Sequence, residues 1–111
     1  MASEDNVVLC GASYYNQKYY LNPDFSRLPK AVKEELQIMC VTYTEDVGGV
    51  LTLEFTPDDE LVFNVQAAEA DGRFDEIGSG LLIRRMQRDK AELLQQLTLY
   101  YKLVYKGEAL S

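Results

Sequence analysis

The feature that most constrains the fold is a change of hydrophobic period at Gly48-Gly49, near the middle of the chain. Before these glycines, apolar residues recur every three or four positions, which is typical of one face of an amphipathic helix. They are Leu28, Val32, Leu36, Met39 or Cys40, Tyr43 and Val47. We therefore predict a helix that opens at Leu28-Pro29 and ends before Gly48-Gly49, where one glycine adopts a left-handed cap.

After the glycines, apolar and polar residues alternate on both sides of a turn at Pro57-Asp58-Asp59-Glu60. This alternation predicts an antiparallel hairpin of strands 50–55 and 61–67. Its buried face consists of Leu51, Leu53, Phe55, Leu61, Phe63 and Val65. Its other face is predicted to be solvated and carries Thr52, Glu54, Asn64 and Gln66.

Two shorter strands are predicted before the first helix, at residues 7–12 and 18–21. After the hairpin, a polar connection leads to one long C-terminal helix that reaches about Lys106 and starts either at Phe74 or near Leu81. The order β-β-α-β-β-α predicts an α+β fold, in which an antiparallel four-stranded sheet carries two helices on one face. We expect residues 1–111 to form a single domain with a flexible tail at residues 1–5.

Composition narrows the classes of function. The formal net charge of −7 argues against binding to nucleic acid or to an anionic membrane. The sequence contains no histidine, which removes the commonest general base and excludes Ser-His-Asp and Cys-His catalysis within one chain. Cys10 and Cys40 lie in apolar runs and are interpreted as buried free thiols. With no basic leader and no long apolar segment, we expect a cytoplasmic protein without a membrane span.

Four carboxylates are the candidates for a polar site. Glu45 and Asp46 lie at the predicted end of a helix, where they oppose its dipole, although a solvated exit turn explains them more simply. Asp75 and Glu76 belong to the acidic run 71–76, which begins at Asp71 and includes Arg73. This run lacks the ligand spacing of a calcium-binding loop, so we predict a solvated loop and no metal or other cofactor.

The C-terminal helix is the candidate for a protein contact. Arg84, Arg85 and Arg88 form a basic stripe, but acids four residues after Arg85 and Arg88 pair with much of that charge, so no nucleic-acid role is predicted. Two adjacent apolar rows follow, and we expect an interface there. Its predicted residues are Leu94, Leu97, Tyr100, Tyr101 and Tyr105.

Charge is distributed unevenly along the chain. Residues 45–76 hold ten acids and one base, whereas residues 84–106 hold six bases and two acids. These regions compensate each other either within one fold or between two copies. Together with the second apolar row, the excess of bases on the helix favours a homodimer, and an unknown protein partner is the other possibility.

Several blocks of sequence identify a family. They are "VVLCGA" from Val7, "QKYYLN" from Gln17, "ELQIMCVTYTEDVGGVLTLEF" from Glu35 and "FDEIGSG" from Phe74. Together they resemble a family of small acidic uncharacterised proteins, a domain of unknown function from anaerobic Gram-positive bacteria. The resemblance covers nearly the whole chain. It implies a bacterial cytoplasmic protein without an assigned activity, and it supplies no functional residue.

The sequence therefore predicts a noncatalytic protein that acts through protein contacts, and three alternatives stay open. A large apolar patch on an isolated dimer would favour a chaperone-like adaptor for unfolded segments. An apolar pocket with a few polar groups would favour a small-ligand-binding domain. A cleft that gathers two of the four carboxylates, one of them desolvated, would favour an enzyme.

Overall fold

The computed structural model describes residues 5–68, 72 and 74–107. Along this part of the chain the elements are β1 (Val7–Ser13), β2 (Lys18–Leu21), α1 (Lys30–Val47), β3 (Val50–Phe55), β4 (Leu61–Gln66), α2 (Glu76–Asp89) and α3 (Ala91–Tyr100). A short 3-10 turn, Pro23–Phe25, precedes α1, and a π-helical segment, Tyr101–Tyr105, continues α3. Most of the predicted tail, residues 1–4, lies outside the described residues, as do Asp71 and Arg73 of the acidic run.

The four strands form one antiparallel sheet in the order β2-β1-β3-β4, so the predicted α+β class and antiparallel sheet are confirmed. In the β3–β4 hairpin, Leu53 pairs with Phe63. The flanking pairs of the same face are Leu51 with Val65 and Phe55 with Leu61. Because directly paired residues point to the same side of a sheet, the predicted facing is confirmed. On this face the residues of β3 are buried, whereas Leu61, Phe63 and Val65 of β4 are only half-buried.

Helix α1 covers that face of the sheet and confirms the predicted period. Its buried residues are Leu36, Met39, Cys40, Tyr43, Thr44 and Val47. At its end, the N–H of Gly48 donates to the carbonyl of Thr44 at 2.8 Å, and the positive φ of 80° explains why a glycine stands there. The helix begins at Lys30, because Pro29 has an extended ψ of 146° and caps the helix instead of opening it.

The prediction of one long C-terminal helix is wrong. Helix α2 begins at Glu76, and its N-cap residue Asp75 accepts a hydrogen bond from the N–H of Gly78 at 2.9 Å. The helical run is interrupted at Lys90, whose φ of −110° and ψ of 19° are not helical, and α3 then starts at Ala91. The two segments pack on different neighbours, since α2 lies against α1 whereas α3 leads to the end of the sheet.

Aromatic rings close the end of the core that α3 reaches. The ring of Tyr101 stacks on Phe55 with centroids 4.1 Å apart, and the ring of Tyr105 stacks on Phe25 at 5.1 Å. Beside them, the Lys106 ammonium pairs with the carboxylate of Asp59 at 2.6 Å. The basic C-terminal region and the acidic central region therefore meet within one chain at this point.

The predicted solvation of the second hairpin face is wrong at one residue. Glu54 is fully buried, although the helices pack on the opposite face of its strand. Its carboxylate accepts hydrogen bonds from Asn6 Nδ2 at 3.0 Å, Thr52 Oγ1 at 2.6 Å and Asn64 Nδ2 at 3.0 Å. Burial of a carboxylate is tolerated only with such donors, and one of them comes from Asn6, far away in sequence.

Candidate functional site

The candidate site lies between α1 and α2, which run antiparallel. At one end of the pair, Lys90 Nζ forms an ion pair with Glu35 Oε1 at 2.6 Å. At the other end, the hydroxyl groups of Tyr43 and Ser79 are hydrogen-bonded to each other. Past the Tyr43–Ser79 contact, the N–H of Asp75 donates to the carbonyl of Val47 at 3.2 Å. The end of α1 is therefore hydrogen-bonded to the residue that precedes α2.

Between these two ends the helices leave an apolar groove of about 210 Å³, which we call the helical groove. Met39, Tyr43 and Met86 form its buried base, while Ile38 and Leu82 stand at its sides. Burial raises the pKa of the Tyr43 phenol, and the hydrogen bond to Ser79 offsets only part of that rise. The phenol is therefore neutral at physiological pH, and the Glu35–Lys90 pair supplies the charge at one end of the groove.

Exposed aliphatic residues lie on the outer sides of both helices, and one of them, Ile38, lines the helical groove. Ile38 is 66% exposed on α1, and Ile77 and Leu81 are 79% and 59% exposed on α2. At about 100° per residue, Ile77 and Leu81 lie on the side of α2 opposite its buried residues Ser79 and Met86. Single exposed aliphatic residues are ordinary, but Ile38 adjoins an apolar groove, and exposed apolar surface of this kind is typical of a contact site.

This surface was not predicted from the sequence, although the sequence contains a signal of it. Ile38 interrupts the polar side of α1 two residues after Leu36, which belongs to the buried face. Ile77 and Leu81 likewise stand four residues apart on the outer side of α2. An apolar residue on the solvent side of an amphipathic helix departs from the helical pattern and marks a possible contact.

The four candidate carboxylates lie at one end of this helical pair, and all four are exposed. Glu45 and Asp46 belong to the last turn of α1, and Glu76 begins α2. Asp75 has a structural role as the N-cap of α2. Within the described ranges, no three acidic or cysteine residues converge in a way that would hold a metal ion.

The predicted interface residues of the C-terminal helix are divided between core and surface. Leu97 and Tyr101 are only 2% and 5% exposed and pack in the core of their own chain. Leu94 and Tyr100 are half-buried, and Tyr105 is 39% exposed. Tyr101 is buried because it follows Leu93 and Leu97 at four-residue steps on one face of the helix, whereas Val104 in the π-helical segment is exposed.

The predicted thiols are free and buried, and they are in contact. Cys10 Sγ of β1 lies 3.8 Å from Cys40 Sγ of α1, and neither residue is exposed. The hydroxyl oxygen of Tyr19 is buried with them and has no hydrogen-bond partner within the described part of the chain. This cluster belongs to the core between α1 and the sheet.

Comparison with known families identifies the chain at the level of a domain family. A model of a family of unknown function, DUF6145, matches residues 6–109, so the chain belongs to this family. No curated protein and no solved structure shows a significant similarity to it. Among the residues that the structure describes, no helix is both long and apolar enough to cross a membrane.

Proposed function

We propose that this protein is a noncatalytic cytoplasmic bacterial protein that acts through protein contacts, as a homodimer built on the α1–α2 surface. One observation carries the proposal: the helical groove, whose lining includes Leu82 and Met86, is apolar and open, and the exposed residue Ile38 stands at its side. Burial of one large aliphatic side chain contributes about 1.5–3 kcal/mol, so a partner that covers these residues gains substantial binding energy.

The size of the helical groove favours a side chain of a protein partner over a free small molecule. Its volume is about 210 Å³, whereas pockets for drug-sized ligands are about 300–1,000 Å³. An aliphatic side chain such as Ile38 or Leu81 of another copy is of suitable size and chemistry.

The test is sedimentation equilibrium of the wild-type protein from about 1 μM to about 500 μM, a range that brackets micromolar dissociation constants. We expect the average mass to rise from one chain to two. Ile38→Glu should abolish the rise, because it places a charge in the apolar contact. Leu99→Glu is the matched control, since Leu99 is 53% exposed on α3, away from the groove.

A wild-type mass that stays at one chain throughout would refute the homodimer. A dimer that Leu99→Glu disrupts and Ile38→Glu leaves intact would move the contact to the C-terminal helix. A mass that rises well beyond two chains, together with binding of unfolded polypeptides, would favour the chaperone-like adaptor instead.

A further inference from the structure

We infer that Cys10 and Cys40 form a modification site, at which a hydroperoxide converts the two thiols into an intramolecular disulfide. The inference is independent of the proposed dimer, because both cysteines lie in the core between α1 and the sheet. Its basis is the contact between two thiols from different elements, together with the short edge strand that covers them.

The two sulfur atoms are close enough to be bridged. Cys10 Sγ of β1 lies 3.8 Å from Cys40 Sγ of α1, and the two residues are 30 positions apart in sequence. A disulfide bond is about 2.05 Å long, so the sulfur atoms must approach each other by roughly 1.8 Å. Small rotations about the two Cα–Cβ bonds supply a movement of this size.

The surroundings keep the thiols unreactive while the protein is closed. Both cysteines are 0% exposed. Contact with Cys10 and burial also raise the pKa of the Cys40 thiol, whereas the thiolate is the form that attacks an oxidant. Oxidation therefore requires a local opening that admits water and the hydroperoxide.

Strand β2 provides this opening. It lies at the edge of the sheet, and its four residues are all exposed or half-buried. Leu21 pairs directly with Cys10, and Tyr19 lies on the same face two residues earlier, so β2 covers the thiols from the side of the sheet edge. A segment with so little buried surface opens without unfolding of the whole domain.

The hydroxyl group of Tyr19 favours the opening of β2. Its oxygen is buried and has no hydrogen-bond partner within the described residues. A buried hydroxyl without a partner is unfavourable, and water satisfies it once the strand moves away. The neighbouring Tyr20 differs, because it points to the opposite face and is 54% exposed.

The reaction is a two-electron oxidation of the two sulfur atoms. In the opened state, one thiolate attacks an oxygen of the hydroperoxide, the O–O bond breaks, an alcohol leaves and a sulfenic acid forms. The second thiol then attacks the oxidised sulfur, so that the S–S bond forms, the S–O bond breaks and water leaves. Two thiols and one hydroperoxide thus give one disulfide, one alcohol and one water. Exchange with an external thiol reverses the modification.

The test treats the reduced, folded wild-type protein with hydrogen peroxide and measures its intact mass. We expect a loss of two hydrogen atoms, about 2 Da, with Cys10 and Cys40 linked in the peptide map. The midpoint of thermal unfolding should rise by about 10 °C, because the bond closes a long loop, and dithiothreitol should reverse both changes. Cys40→Ala is the control, because its remaining thiol should gain oxygen atoms, about 16 Da each, without an internal bond.

Two tyrosine variants test the route through β2. Tyr19→Phe should slow formation of the disulfide by about fivefold, because it removes the hydroxyl group that water satisfies in the opened state. Tyr20→Phe is the matched control on the same strand and should react at the wild-type rate. Equal rates in the wild type and both variants would refute this route.

Two results would refute the modification site itself. In the first, the folded wild-type protein keeps both thiols in peroxide and forms the disulfide only after unfolding in urea. In the second, peroxide produces disulfide-linked dimers or sulfinic acids in place of the internal bond. Both results are independent of the mass measured by sedimentation, so the proposed homodimer stands or fails separately.

Discussion

The two faces of strand β3 are buried by different physical means. On the helix-covered face, Leu51, Leu53 and Phe55 are fully buried by apolar packing against α1 and the aromatic rings at the end of the core. On the other face, Glu54 is equally buried, but hydrogen bonds from three side chains stabilise it. Equal burial therefore does not imply equal energetics, and substitutions on the two faces should differ in size and in their dependence on pH.

The largest effect is expected on the helix-covered face. Phe55→Ala should lower the free energy of unfolding by about 3–5 kcal/mol, because it leaves a cavity beneath Tyr101 and Phe25. Urea unfolding, monitored by circular dichroism, measures this loss of unfolding free energy. Phe63→Ala is the comparison, since Phe63 lies on the same face but is only half-buried, and we expect a smaller loss. A loss from Phe55→Ala of under about 1 kcal/mol would contradict apolar packing as the main source of stability there.

On the opposite face, Glu54→Gln should lower the free energy of unfolding by about 2 kcal/mol at pH 7. The amide nitrogen of glutamine cannot accept the hydrogen bonds that the carboxylate accepts. Burial raises the pKa of the Glu54 carboxyl, but the hydrogen bonds from Thr52, Asn6 and Asn64 outweigh it and hold the pKa below its ordinary value. The stabilisation by the ionised Glu54 carboxylate is therefore complete above the pKa of about 4.3 that it has in the unfolded chain. It is lost as the pH falls through the lower pKa of the folded protein.

Urea titrations between about pH 7 and pH 3 would measure this acid-dependent loss. The loss should be smaller in Glu54→Gln than in the wild type. Parallel curves for the two proteins would show that Glu54 does not contribute to acid sensitivity.

The helix-covered face should instead be sensitive to alkali. Contact with Cys10 and burial raise the pKa of the Cys40 thiol, and burial raises the pKa of the Tyr19 phenol. Stability should therefore be constant below the unfolded-state thiol pKa of about 8.5 and should decline as the pH rises above it, by about 1.4 kcal/mol for Cys40 at pH 9.5.

Comparison of Cys40→Ala with the wild type at about pH 7 and pH 9.5 isolates the contribution of Cys40 ionisation to the loss of stability. The difference in stability between the two proteins should narrow at the higher pH. A constant difference would mean that the Cys40 thiol ionises as readily in the folded protein as in the unfolded chain.

The smallest effect is expected at Thr52. Thr52→Val keeps the shape of the side chain and removes one of the three donors to Glu54, so we expect a loss of about 1 kcal/mol in urea unfolding. In the Glu54→Gln background the same substitution should cost less, because the two residues act through one contact. Additive losses would show that the hydrogen bond to Glu54 contributes little.

The sequence by itself determined the elements whose pattern repeats locally. The face of α1 that carries Leu36, Cys40 and Tyr43, its end at Gly48, and the facing of the β3–β4 hairpin all follow from the spacing of neighbouring residues. Apolar residues at steps of three and four, or at every second position, can be buried together in only one local conformation. Distant contacts are not needed for these assignments.

Only the tertiary structure decided where distant segments meet. The position of β1 between β2 and β3 and the donation from Asn6 to Glu54 depend on contacts between residues far apart in sequence. The candidate site is of the same kind. Ile38 and Leu82 come to flank one groove only because α2 folds back antiparallel on α1. Local periodicity shows which face of a helix is apolar, but packing between elements decides what that face contacts and what remains exposed.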